Sequence, residues 1–197
     1  MWKRLWYLLS THFFDLLRAN LLYVLFTLPV VTIPAAICGL YAVVLQYWRI
    51  GYGELFGVFW REFKANFFAS LVLTLALVAI PICCWRFTAP YGEVISYVVT
   101  AAILAFVLIL LGWLYPQLAL LKLRPWQALR NAAILTLLET KRNFFLLLAS
   151  LMLLGSFLFL WPFSLVLLVL LLPVFSVVVM VMLTLPVLEE RLVQEEK

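Results

Sequence analysis

Long apolar runs recur along this chain, near residues 15–33, 35–48, 65–85, 94–121, 143–161 and 164–188. A helix needs roughly 20 apolar residues to cross a hydrocarbon core of about 30 Å, so these runs predict membrane spans. In lipid no water satisfies backbone amides, so each run must close its own hydrogen bonds as a helix, including the β-branched stretch at Val177–Val179. Hydrophobic residues make up 68% of the 197 and charged residues 12%, a balance that a water-soluble domain could not place on its surface. The expected fold is an all-α integral membrane protein, one transmembrane domain over residues 1–197. It has about six transmembrane helices, with short amphipathic interfacial helices on the cytoplasmic side. The run at 35–48 is the short one, about 21 Å as a helix at ~1.5 Å per residue.

Orientation follows from the cations. Of fourteen Lys and Arg, all but Arg86 fall at the termini or in the joints after the second, fourth and sixth runs. The positive-inside rule places that face, and both termini, in the cytoplasm of a multi-pass protein. The net charge of +5 is scattered in ones and twos rather than gathered in a stripe, which argues against nucleic acid. The N-terminal apolar region is broken by His12, Asp15 and Arg18 without a small-residue cleavage pattern, so a removable signal peptide is not expected. Trp2, Leu5, Trp6, Leu9 and Phe13 recur at helical spacing, as do Leu55, Phe56, Phe59 and Phe63, and Pro125 opens a third such stretch. Each is expected to lie flat among the headgroups, in contact with membrane lipid.

Chemistry-bearing groups are sparse. His12 is the single histidine and has no ligand cluster beside it, so neither a metal site nor a triad is expected. No Gly-rich phosphate loop is present. Cys38, Cys83 and Cys84 have no metal or redox spacing and read as free thiols, with a Cys38 disulfide to one of the pair as the other reading. The nine acidic residues fall at span ends or in joints, which argues against ion-coupled transport. Scattered Ser and Thr read as packing, and no continuous polar stripe is apparent. No catalytic residue and no cofactor or metal is expected.

Three positions repeat a theme. Asn20, Asn66 and Asn143 each follow a cation and precede two large apolar residues at the start of an outward-going span. They read either as helix caps among interfacial aromatics or as marks of three related hairpins. The segment from Thr27 to Pro34 carries Pro29, Thr32 and Pro34, so the first span must kink or end inside its apolar run. An ordinary kinked hairpin and a shallow outward-facing pocket both fit. Ala35 and Gly39, four apart, allow close helix approach.

Asn20 with Leu21 and Leu22, Leu28 to Thr32, Gly39 to Tyr41, and Asn66 with Phe67 together resemble the YesL-like bacterial membrane proteins, a domain-of-unknown-function family. Leu129 to Ala132, with Arg130 and Asn131, is similar to the family's second half. The resemblance implies a setting beside carbohydrate-utilisation genes and sugar importers of the ATP-binding-cassette type, as an accessory protein of the bacterial cytoplasmic membrane. The chain lacks the loop by which permease subunits of those importers are known. The leading expectation is a non-enzymatic accessory protein partnered by membrane lipid and sugar importer subunits. The alternative is a small uncoupled transporter or channel.

Overall fold

The computed structural model describes residues 10–121, 123–158 and 166–191. Seven helices account for nearly all of them: α1 Phe13–Thr27, α2 Ile33–Arg49, α3 Leu55–Thr88, α4 Glu93–Leu121, α5 Pro125–Leu138, α6 Thr140–Leu158 and α7 Val166–Arg191. No strand occurs among the described residues, and the fold is all-helical. Four segments are long and apolar enough to cross a membrane: Val30–Arg49, Leu55–Tyr91, Glu93–Leu121 and Leu172–Glu190. The molecule is a membrane protein. Helices α1 and α6, of 15 and 19 residues, stand where the other two of the six runs were expected, so a six-span count is compatible with the fold.

Burial separates the helices into two kinds. The span around α2 is 72% buried inside the chain, because Ala35, Ala36, Gly39 and Ala42 let neighbours close in around it. The spans of α3 and α4 are only 17% and 22% buried, at mean hydropathies of 2.5 and 2.8. Val72, Leu75, Ile82, Val94 and Val98 point outward from them. Such apolar exteriors are stable in lipid and not in water.

The break between α1 and α2 comes earlier than Pro34. Helix α1 stops at Thr27, a short 3-10 turn covers Val30–Thr32, and Pro34 sits inside the first turn of α2, where its missing N–H costs nothing. The boundary expected near residues 33–35 therefore moves to Leu28 and Pro29. The Thr32 hydroxyl shares its proton between the Phe26 carbonyl, left without a helical partner by the break, and the Pro29 carbonyl, which also accepts the Thr32 N–H at 3.0 Å.

This hairpin is short. Phe26, next to the end of α1, packs its ring on Phe59, Trp60 and Phe63 at 5.1–5.4 Å, near the start of α3. From Phe67 to Thr88, α3 continues for about 30 Å at ~1.5 Å per residue, paired with α4. Its far end is closed by Thr88 and Ser96, 2.9 Å apart, and by Trp85 on Tyr97 at 4.8 Å.

The interfacial helices come out unevenly. Leu55 to Lys64 is no separate element but the first turns of α3, with Phe59 and Phe63 buried in the bundle instead of facing headgroups. Gly39 explains this: a Cβ there would stand 3.0 Å from the Phe59 ring, so the ring takes up that space. Pro125–Leu138 is a separate helix, α5, with Ala128, Ala132 and Leu135 buried and Trp126, Leu137 and Leu138 exposed. The N-terminal stretch Trp2 to Leu9 and the joint at Trp161 and Pro162 lie outside the described residues.

Candidate functional site

One end of the bundle collects Arg49, Arg61, Lys64, Arg124, Arg130, Lys141 and Arg142, and there two grooves flank a single ion pair. Arg49, in the last turn of α2, meets Glu189 of α7 at 2.8 Å. On one side a groove of about 300 Å³ runs between Trp48 and Val181, Leu185 and Pro186. On the other, a groove of about 390 Å³ is lined by Gln46 and Arg49 of α2, Val58, Arg61 and Glu62 of α3, and Ala119 and Leu120 of α4. The α2–α3 turn forms its rim. Gly51 and Gly53 have φ of 82° and 154°, and a Cβ on Gly53 would overlap the Gln46 amide, so glycine is required there.

Glu62 is the unusual member. It is 4% exposed, with Arg61 Nε 3.1 Å from Oε1 and Asn66 Nδ2 3.5 Å from Oε2. A carboxylate at that depth is retained only with partners, and Arg61, two-thirds exposed, supplies the charge from the groove side. Sequence reading placed Glu62 on the polar face of a joint. Burial follows because the joint is part of α3 and turns that face inward.

Behind Glu62 the same face of α3 carries Asn66, Ser70 and Thr74, each one turn further on. Asn66 donates to the Glu62 carbonyl at 3.0 Å, Ser70 is fully buried, and Thr74 is 3.0 Å from the Tyr115 hydroxyl of α4. From α2, the Cys38 thiol neighbours Ser70 and lies within electrostatic range of Glu62. Tyr115 in turn lies within range of Tyr23 of α1 and of Cys38 and Tyr41 of α2. Tyr41 donates to Met180 of α7 at 2.6 Å. The absence of a polar stripe expected from the sequence is thus corrected: the stripe exists over about 18 Å of α3. Its sequence signal is the four-residue spacing of 62, 66, 70 and 74.

The sequence-selected residues divide between this file and other joints. Asn20, Asn66 and Asn143 do not open their own helices; each lies inside its helix. Asn143 bridges three helices, accepting from Trp113 Nε1 at 2.9 Å and donating to the Thr136 carbonyl at 2.5 Å. Asn20 is fully buried, and neither atom of its amide finds a hydrogen-bond partner among the described residues. Pro29 and Thr32 form the α1–α2 turn with exposed Leu28, Val30 and Val31. Pro34 and Gly39 seat α2 against its neighbours. Arg130 and Asn131 lie on α5, Arg130 exposed and Asn131 half-buried.

His12 packs on Tyr47 at 5.3 Å and pairs with Asp15. Cys38, Cys83 and Cys84 are free thiols; Ser70, which neighbours Cys38, is about 20 Å along α3 from Cys83 at ~1.5 Å per residue. Among the described residues no three of His, Cys, Asp and Glu converge as a metal site would require.

No curated protein and no solved structure matches the chain. A family model described as protein of unknown function, DUF624, matches residues 16–85, from α1 through nearly all of α3. The matched segment contains the short hairpin, the positive-φ turn and the whole Glu62 to Thr74 file, and agrees with the YesL-like resemblance. By that match the α1–α3 part of this membrane protein is similar to DUF624, a family of unknown function.

Proposed function

We propose that this chain is a non-enzymatic accessory subunit of the bacterial cytoplasmic membrane that associates with the membrane subunits of an ATP-binding-cassette importer for carbohydrates. The observation that carries an interaction role is the α3–α4 arm. Two helices of 34 and 29 residues leave most of their apolar surface outside the bundle, well past the α1–α2 hairpin. Helices of a partner can pack on such an arm through Ala69, Ala76, Ala101 and Ala102, small residues that permit close approach. The basic end, with exposed Trp126 and neighbouring Arg124 and Arg130, suits a cytoplasmic face against anionic lipid. That reading sets both termini inside, and the importer setting rests on the family resemblance alone.

The test is site-specific photo-cross-linking in native membranes, with the probe at Leu75, Ile82 or Val98 on the arm. Adducts to importer membrane subunits are expected at those positions and not at Phe14 of α1. Lipid adducts alone at all positions would overturn the accessory reading. The polar file favours a second reading, an uncoupled path for small solutes.

A further inference from the structure

We propose that α1 and α2 form a re-entrant hairpin, which enters the bilayer from the basic end, turns at residues 28–32 within the hydrocarbon of that leaflet and leaves by the same face. The apolar side chains of its turn then rest against lipid acyl chains. Three observations converge on this. The first is reach. Phe26 packs on Phe59, Trp60 and Phe63, and Gly39 lies against Phe59. Those contacts hold the hairpin to the root of α3, whose far end at Thr88 lies another ~37 Å beyond Phe63 at ~1.5 Å per residue. Arg18, the last charge on α1, stands ten residues before Leu28, about 15 Å or half of a hydrocarbon core of about 30 Å. Val30–Arg49 has the length of a span, but its partner α1, of 15 residues, covers only about 22 Å.

The second observation is what the hairpin leaves uncovered. From residue 82 to residue 106, the outer part of the arm, only Ser96 is buried, whereas Leu110 to Ala119 of α4 are buried without a break. A hairpin that crossed completely would stand beside that outer part too. The third is the chemistry of the turn. Leu28, Val30 and Val31 are 73%, 76% and 57% exposed, and no charged residue lies between Arg18 and Arg49. Water would meet three bare apolar side chains there, while lipid would accept them provided that the backbone is served from within. Pro29 and Pro34 bring no N–H, and the Thr32 N–H donates to the Pro29 carbonyl at 3.0 Å. The Thr32 hydroxyl reaches the Phe26 carbonyl, and the Thr27 hydroxyl that of Val24 at 2.9 Å. The crossings are then α3, α4, α6 and α7, an even number, so both ends of the described chain stay on the basic side.

Nitroxide labels on the chain in vesicles of phosphatidylethanolamine and phosphatidylglycerol test this. The reading is the ratio of relaxation by oxygen, which concentrates in hydrocarbon, to relaxation by a water-soluble nickel chelate, which hydrocarbon excludes. The background is Cys83→Ser, Cys84→Ser, whose remaining Cys38 is fully buried. On it, Phe14→Cys, Leu21→Cys, Leu28→Cys and Val30→Cys are compared with Leu75→Cys on the arm and with Tyr52→Cys and Tyr91→Cys in the turns at its two ends. All seven positions are exposed, so a label displaces no packing, and a melting temperature equal to the parent's certifies the fold. At Leu28→Cys and Val30→Cys the ratio should match Leu75→Cys and exceed both end turns at least about fivefold, since the core holds no water. Along α1 it should rise from Phe14→Cys through Leu21→Cys to Leu28→Cys. A maximum at Leu21→Cys with a fall by Leu28→Cys would mark a complete crossing and overturn the re-entrant hairpin. Ratios at the turn equal to those of Tyr52→Cys or Tyr91→Cys would place it outside the hydrocarbon and overturn it as well. Protection of the turn from both relaxers would overturn its contact with lipid.

Discussion

Asn143 and Asn20 carry the same amide into opposite settings. Asn143 holds α4, α5 and α6 together, and its loss would strand the Trp113 N–H, which is fully buried. Asn143→Leu is expected to cost about 2–4 kcal/mol, the sum of a stranded donor and a lost bridge, seen as a lower melting temperature in detergent. Asn20→Leu should be neutral or stabilising, since its amide has no partner to lose among the described residues. The opposite ranking would refute the assignment of the bridge. The sequence leaves capping and bridging both open for the three asparagines, and Asn143 bridges. Capping and bridging use the same residue type, and only the neighbouring helix decides. Gly39 was legible as a small-residue contact, and the Phe59 carbonyl 3.1 Å from its notional Cβ gives the reason. Gly39→Ala should force α2 from α3 at a cost of about 1–3 kcal/mol, measured as the same loss of thermal stability.

At the scale of elements, hydropathy found the helices and mislaid their joints. The run at 94–121 matches α4 almost residue for residue, and that at 65–85 lies within the longer α3, because lipid demands helix wherever the chain is apolar. The apolar pattern puts the first break at Pro34, yet the chain leaves the helix at Leu28. Proline at a first turn starts a helix, whereas Pro29 lacks the N–H that continuing α1 would need. Leu55 to Lys64 looked like a separate interfacial helix since charge alternates with aromatics there. Packing under Gly39 makes it the root of α3 instead. The Thr32 hydroxyl serves the Phe26 carbonyl across the turn, as the Thr27 hydroxyl serves that of Val24. Thr32→Val keeps the shape and removes that proton, so amide exchange across Thr27 to Ile33 should quicken, with about 1–2 kcal/mol of local stability lost. Unchanged exchange would show that the turn is held by packing alone.

For the whole molecule, class was readable from composition and function was not. A membrane-embedded chain shows its solvent in every apolar run, but a partner leaves its mark only as surface the chain does not cover itself, and that surface is invisible until the helices are placed. Residues 62, 66, 70 and 74 became a site in the same way, once α3 proved continuous. Orientation can be checked at this scale with reporter fusions. One after Lys197 should report the cytoplasm and one near Tyr91 the opposite side; agreement between them would refute the odd number of crossings expected between those points. The most direct test of the accessory role is the initial rate of carbohydrate uptake through the importer in cells with and without this chain. Uptake should fall in its absence, return with the wild-type chain, and fail to return when Ala76 and Ala101 on the arm are both replaced by Trp while the protein still reaches the membrane. An uptake rate unchanged by removal of the chain would contradict the role.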